Sequence, residues 1–354
     1  MQPAFGILYT NLARCQGITR LFARFRPDTF IMLMIACIAL ASLLPARGSF
    51  AGHFGTATNI AIALLFFLHG ARLSRATVLA GMTHWRLHLL VFSTTFALFP
   101  VVGLLLGFLV PTVLPAALYA GVLFLCVLPS TVQSSIAFTA LAGGNVPAAV
   151  CSASASNIIG MFLTPLLVGL LFAKTGGGGV SLSAIEGIML QLLAPFIAGQ
   201  IVQPWLGSWL GRHKWLVTIV DRGSILMVIY LAFSKAMVAG LWQQLPLQSL
   251  VVLLLIAAVL LSTVLAITIF ASRFFGFSRQ DEITVAFCGS HKSLASGVPM
   301  ANVIFAGQEI GAIVLPLMLY HQLQLMVCAW MARRYAERTA VERATVAEAQ
   351  SAAQ

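Results

Sequence analysis

Residues 285–304, VAFCGSHKSLASGVPMANVI, place His291 and Lys292 side by side in an apolar run otherwise rich in Ser and Gly. An ammonium at bilayer depth costs roughly 2.5–3.5 kcal/mol on insertion scales, so such a group faces protein or a water-filled cavity and marks a function. Three uses of Lys292 are open. It is a built-in positive charge where a second sodium ion would bind, or it pairs with an anionic substrate, or it satisfies carbonyls freed by a broken helix. Imidazole titrates near pH ~6.5 in water, which suits His291 to carrying a proton in a transport cycle. A plainly hydrogen-bonded histidine is the other reading. Ser290, Ser293 and Asn302 add neutral polar groups to the same candidate substrate or coupling set.

A second set lies upstream. Pro129, Ser130 and Thr131 interrupt the apolar run 116–142, with Gln133, Ser134 and Ser135 behind them. Residues 151–157, CSASASN, add Ser152, Ser154, Ser156 and Asn157, of which Ser154 and Asn157 share a helix face at a spacing of three. Neutral oxygens clustered at a helix break suit a hard cation such as sodium. Small residues in this pattern also permit close helix packing. The nine acidic residues (Asp28, Glu186, Asp221, Asp281, Glu282, Glu309, Glu337, Glu342 and Glu348) all fall at span ends, in loops or in the tail. A two-sodium site or a carboxylate proton relay therefore lacks its usual residue. Ser290 or Ser293 beside Lys292 has the composition of a Ser/Lys hydrolytic dyad, but no oxyanion-hole sequence or metal-ligand set accompanies it, and the chain reads as no enzyme.

The elements that hold these groups are membrane spans. The chain is 60% hydrophobic and 8% charged, with a mean hydropathy of +0.98, against about 25% charged residues in soluble domains. Ten spans are expected, at about 29–44, 55–70, 87–110, 116–142, 146–172, 184–206, 223–241, 248–271, 283–306 and 310–331, each near the ~20 residues that cross a bilayer. With the N-terminus inside, only Arg47 and Lys174 of the 20 Lys and Arg fall outside, and Lys235 and Lys292 lie within spans. The positive-inside rule then puts both termini in the cytoplasm of a cell (inner) membrane protein. The net charge of +11 is explained by this topology rather than by nucleic acid. The six Cys show no paired spacing, so neither a disulfide framework nor a thiolate metal site is expected.

A Gly-rich linker at 174–181 divides a repeat at about 29–172 from one at about 184–331. Five spans per half make the second half inverted relative to the first, and the fourth span of each half is broken. Paired breaks point to a midplane site, because a half-helix N-terminus attracts anions and its carbonyl end attracts cations. A cytoplasmic arm at 1–28 and a solvated tail at 332–354 flank the transmembrane domain.

The segments LPSTVQSSIAFTALAGGN, ASASNIIGMFLTPLLVGLL and CGSHKSLASGVPMANVIF resemble the bile acid:sodium symporter family. Within it they are most similar to the SBF-like branch of bacterial symporters, vertebrate solute carrier family 10 member 7 and fungal calcium-homeostasis regulators. The resemblance implies an all-α protein of ten transmembrane helices in two inverted five-helix repeats. Spans four and nine are broken and cross in a core, against which a panel of spans one, two, six and seven moves. It places a sodium site at Ser134, Ser135 and 152–157. The family's Ser-Asn pair reads Ser134-Ser135 here, its span-nine Glu falls at Ala286 or Phe287, and its Gln-Asn becomes Ser290-His291. The expected function is secondary transport of a small organic anion held by Lys292 and the half-helix N-termini, driven by sodium or a proton. The alternative is a non-transporting regulator of calcium homeostasis. No cofactor beyond a sodium ion is implied, and the sequence sets no oligomeric state.

Overall fold

The computed structural model describes residues 29–72, 84–174, 182–238, 240, 247–305 and 310–352, and the statements below concern these residues. Helices account for nearly all of them, and they contain no strand. The helices are α1 (Thr29–Leu43), α2 (Gly48–Arg72), α3 (Trp85–Ser93), α4 (Phe99–Leu105), α5 (Ala116–Val127), α6 (Gln133–Leu141), α7 (Val146–Lys174), α8 (Leu182–Arg212), α9 (Lys214–Val238), α10 (Leu247–Phe274), α11 (Arg279–Ser290), α12 (Leu294–Ile304) and α13 (Ile310–Ala352). Six stretches among the described residues are long and apolar enough to cross a membrane: Gly48–Arg72, Trp85–Leu109, Val146–Phe172, Lys214–Val238, Leu247–Phe274 and Ile310–Arg338. Their outward side chains, such as Phe108, Phe162, Leu255 and Phe270, are apolar and exposed, as a lipid-facing surface requires.

Several boundaries differ from the sequence expectation. Helix α2 begins at Gly48 rather than near 55 and runs unbroken through Asn59, whose Oδ1 accepts from Asn302 Nδ2. Helix α9 begins at Lys214 rather than near 223, so Asp221 sits two turns inside it instead of at a span end. The sequence places the second interruption over Ser290 to Pro299, but the break is only His291–Ser293, and Pro299 lies within α12. The described residues of the expected tail continue α13 as helix to Ala352. The expected arm at 1–28 and most of the linker at 174–181 lie outside the described residues, as do Arg75 and Glu309.

Helices α1, α2, α8 and α9 pack on one another, with α2 lying along α8. That approach is set by glycine: a Cβ on Gly70 would collide with the Phe196 carbonyl, and one on Gly199 with the Phe67 carbonyl. Small residues allow such contact where apolar burial gives helices in lipid no reason to associate. In the other group α11 packs on α3, α6, α7 and α10, while α13 packs on α5, α6, α10 and α12. Helix α12 also touches α8 and α9, so the second break lies where the two groups meet.

Candidate transport site

Each break leaves carbonyls without helical partners, and in lipid every unsatisfied group costs several kcal/mol. At the first break the partners come from four other places. The Cys126 and Leu128 carbonyls accept from Lys292 Nζ, that of Val127 from Thr164 Oγ1, that of Pro129 from the Ser293 amide, and that of Ser130 from Asn157 Nδ2. Five consecutive carbonyls are thus engaged by side chains and backbone of α7 and of the second break. In return Ser130 Oγ donates to the Cys288 carbonyl at 2.6 Å, and Ser135 Oγ to that of Phe287 at 3.4 Å. The two breaks hold each other open.

Lys292 is fully buried at 0% exposure. Its ammonium donates to the carbonyls of Thr95 at 2.9 Å, Cys126 at 3.0 Å and Leu128 at 2.7 Å, and lies 4.0 Å from the centroid of the Phe99 ring. Why the Thr95 carbonyl is free follows from the sequence. Residues Thr94–Leu98 form a π turn in which the Phe99 amide bonds to the Thr94 carbonyl. The next bond in that register would come from Pro100, which has no N–H. The Lys292 backbone is pinned as well: its amide donates to Gln324 Oε1 at 2.9 Å, and Gln324 Nε2 donates to its carbonyl at 3.0 Å. His291 Nδ1 bonds to the Phe287 carbonyl at 2.6 Å, so that nitrogen carries the proton, and Nε2 has no hydrogen-bond partner among the described residues.

A cavity of about 530 Å³ opens between the two helix groups. One wall carries ionisable side chains: His69 and Arg72 of α2, and Asp221 and Arg222 of α9. His69 Nε2 lies 3.3 Å from Asp221 Oδ1, and the Arg222 guanidinium sits over the Phe30 ring at 5.3 Å. The facing wall is neutral and polar, with Thr131, Gln133, Ser134, Ser154, Asn157, Ser293 and Ser296 beside His321. Ser134 Oγ has no hydrogen-bond partner among the described residues. Phe138, Phe196, Met161 and Leu294 supply apolar surface between the walls. A space of this size with convergent polar groups is the usual form of a small-molecule site.

The profile of the SBF-like CPA transporter family matches residues 28–337. The chain belongs to this family. It is 56% identical to "Uncharacterized protein PA2026" of Pseudomonas aeruginosa over 328 residues, 93% of this chain and 98% of that protein. It is 52% identical to "Putative symporter YfeH" of Escherichia coli over 312 residues, 88% and 94% of the two chains. Rat "Sodium/bile acid cotransporter 7" matches at 30% over 315 residues, 87% and 92%. The family is one of transporters, not enzymes, and with the apolar helices it makes this chain a multi-pass membrane protein.

Within this SBF-like transporter the residues singled out from sequence fall into three places. Thr131, Gln133, Ser134, Ser154, Asn157 and Ser293 meet at the cavity. Ser135, Ser290, His291 and Lys292 are buried behind it, and Ser152 pairs with His88 Nδ1 at 2.6 Å away from it. Lys292 does not line the cavity, and its ammonium gives its three hydrogen bonds to carbonyls, as in the third of the uses the sequence leaves open. Asn302 is separate from the His291–Lys292 pair and donates to Asn59 Oδ1 at 3.0 Å. Nothing in the sequence indicated that Asp221, read at a span end, or His69, Arg72 and Arg222, explained by cytoplasmic topology, line the cavity. A helix start at Lys214 would have been the signal, because it moves Asp221 and Arg222 inward by two turns.

The neutral oxygens at the cavity are ligand types that suit sodium, although no carboxylate joins them on that wall. Among the described residues no three His, Cys, Asp or Glu side chains converge as a metal site. The described cysteines Cys37, Cys126, Cys151, Cys288 and Cys328 are free thiols.

Proposed function

We propose that this protein is a secondary transporter that carries a small organic anion by alternating access. The observation that carries this reading is the cavity between the two helix groups, bounded by both breaks on one side and by Arg72 and Arg222 on the other. Helices α1, α2, α8 and α9 act as the panel and the rest as the core, with five spans in each inverted half: α1, α2, α3 with α4, α5 with α6 and α7, then α8, α9, α10, α11 with α12 and α13. The broken spans cross at the core. Under the positive-inside orientation, the ends of α2 and α9 that carry the charged wall face the cytoplasm, so the cavity opens inward.

The anion is held by Arg72 and Arg222, while Asp221 is paired with His69. Sodium at Thr131, Gln133, Ser134, Ser154 and Asn157 supplies the driving gradient through one site. The names of the Escherichia coli and rat relatives, a symporter and a sodium/bile acid cotransporter, support this coupling. No observation favours the regulator alternative.

The test uses Ala137→Cys, at the cavity wall, in an otherwise cysteine-free protein. In membrane vesicles of both orientations, an impermeant maleimide should label it from the cytoplasmic face, and from the opposite face once sodium is present. Labelling confined to one face under every ionic condition would rule out alternating access.

A further inference from the structure

We infer that the enclosure around the Lys292 ammonium is a monovalent-cation site that this chain fills with its own side chain. Its ligands are the carbonyl oxygens of Thr95, Cys126 and Leu128, at 2.7–3.0 Å from Nζ, with the face of Phe99 on a further side. Two of the three carbonyls terminate α5, where the helix dipole concentrates about half a negative charge. The third is freed by Pro100 in the π turn. Two unconnected features of the backbone therefore aim three carbonyl oxygens at one point, and an aromatic face adds to the attraction for a cation. Neutral hydrogen-bond donors would satisfy the oxygens singly, but only a cation answers all three and the ring at once.

Every part of the enclosure belongs to one helix group. Thr95 follows α3, Cys126 and Leu128 close α5, Phe99 opens α4, and Lys292 links α11 to α12. The cavity does not reach it. A tethered ammonium here is thus a permanent occupant rather than an ion that enters and leaves. Its shape matters: a compact ammonium with three donors fits three converging oxygens, whereas a planar guanidinium does not. If the transport reading above holds, no free ion is coupled at this position. The site itself does not depend on that reading.

The test reads thermal unfolding of the purified protein in choline chloride, with and without added probes. Lys292→Ala, which opens the enclosure, should lose several degrees in its midpoint, and n-propylammonium should recover most of the loss by binding the folded state. n-Propanol at the same concentration should not. Lys292→Met, which fills the space without charge, should also lose stability and respond to neither probe. Equal recovery by propanol, no recovery by propylammonium, or wild-type stability of Lys292→Met each overturns the inference. Should Lys292→Ala fail to fold in choline, purification throughout in propylammonium should yield folded protein. Aggregation there as well counts against the inference. Transport is not measured, so failure here leaves the transport reading untouched, and failure of that reading leaves this site standing.

Discussion

Ser296 donates its hydroxyl to Asn157 Oδ1 at 2.7 Å, while Nδ2 of the same Asn157 donates to the Ser130 carbonyl at 2.7 Å. One amide on α7 thereby joins α12 to the first break, with its donor and its acceptor both in use. Asn157→Ala would strand a carbonyl and a hydroxyl, each costing about 1–3 kcal/mol when buried without a partner. The expected result is a lower unfolding midpoint at unchanged expression. A midpoint within a degree of wild type would contradict the clamp.

Sodium binding should depend on Ser134 rather than Ser135. The Ser135 hydroxyl is spent on the Phe287 carbonyl, whereas Ser134 is a cavity-lining residue whose Oγ is buried without a hydrogen-bond partner among the described residues. In matched sodium and choline buffers, sodium should raise the wild-type midpoint. The rise should disappear in Ser134→Ala and persist in Ser135→Ala, on a lower baseline. The opposite ranking would move the ion to the interior of the break.

Asn59 and Asn302 connect α2 of one helix group to α12 of the other. If the groups move during transport, that contact breaks in one half of the cycle. A mercuric ion bridging Asn59→Cys and Asn302→Cys should hold the protein in the present arrangement and prevent labelling of Ala137→Cys from the outer face. Unchanged labelling from both faces with the bridge intact would mean that α2 and α12 travel together.

The α2–α8 contact tolerates no added carbon. Gly70→Ala and Gly199→Ala each push a methyl into a backbone carbonyl of the other helix, and overpacking of this kind costs about 1–3 kcal/mol. Each should lower the midpoint, whereas Gly223→Ala, where a Cβ meets nothing within 4 Å, should not. Comparable losses at all three would remove the close approach as the cause.

Removing charge from the cavity wall should act on transport without unfolding the protein. Arg72 and Arg222 are exposed side chains lining the cavity, so Arg222→Gln and Arg72→Gln should keep the wild-type midpoint. Uptake of organic anions into proteoliposomes should fall by at least about tenfold, the equivalent of ~1.4 kcal/mol of lost anion binding. Uptake at the wild-type rate in both variants would remove the arginines from the substrate's path.

What the sequence determined by itself was what short-range chemistry dictates. Apolar runs of membrane length gave the helices, Pro129 and the Ser-rich SHKS run marked two breaks, and the family motifs in those segments identified the kind of protein. Tertiary structure decided which polar groups face one another. Residues 152 and 154 are two apart in sequence, yet one turns to His88 and the other to the cavity. Three uses of Lys292 stayed open in the sequence because its partners, Thr95, Cys126 and Leu128, are backbone carbonyls, which carry no sequence signature. Asp221 looked peripheral because its apolar run reads from about 223, whereas the helix starts at Lys214. The depth and direction of a side chain depend on where its helix starts and on what packs against it, and those are settled only when the helices meet.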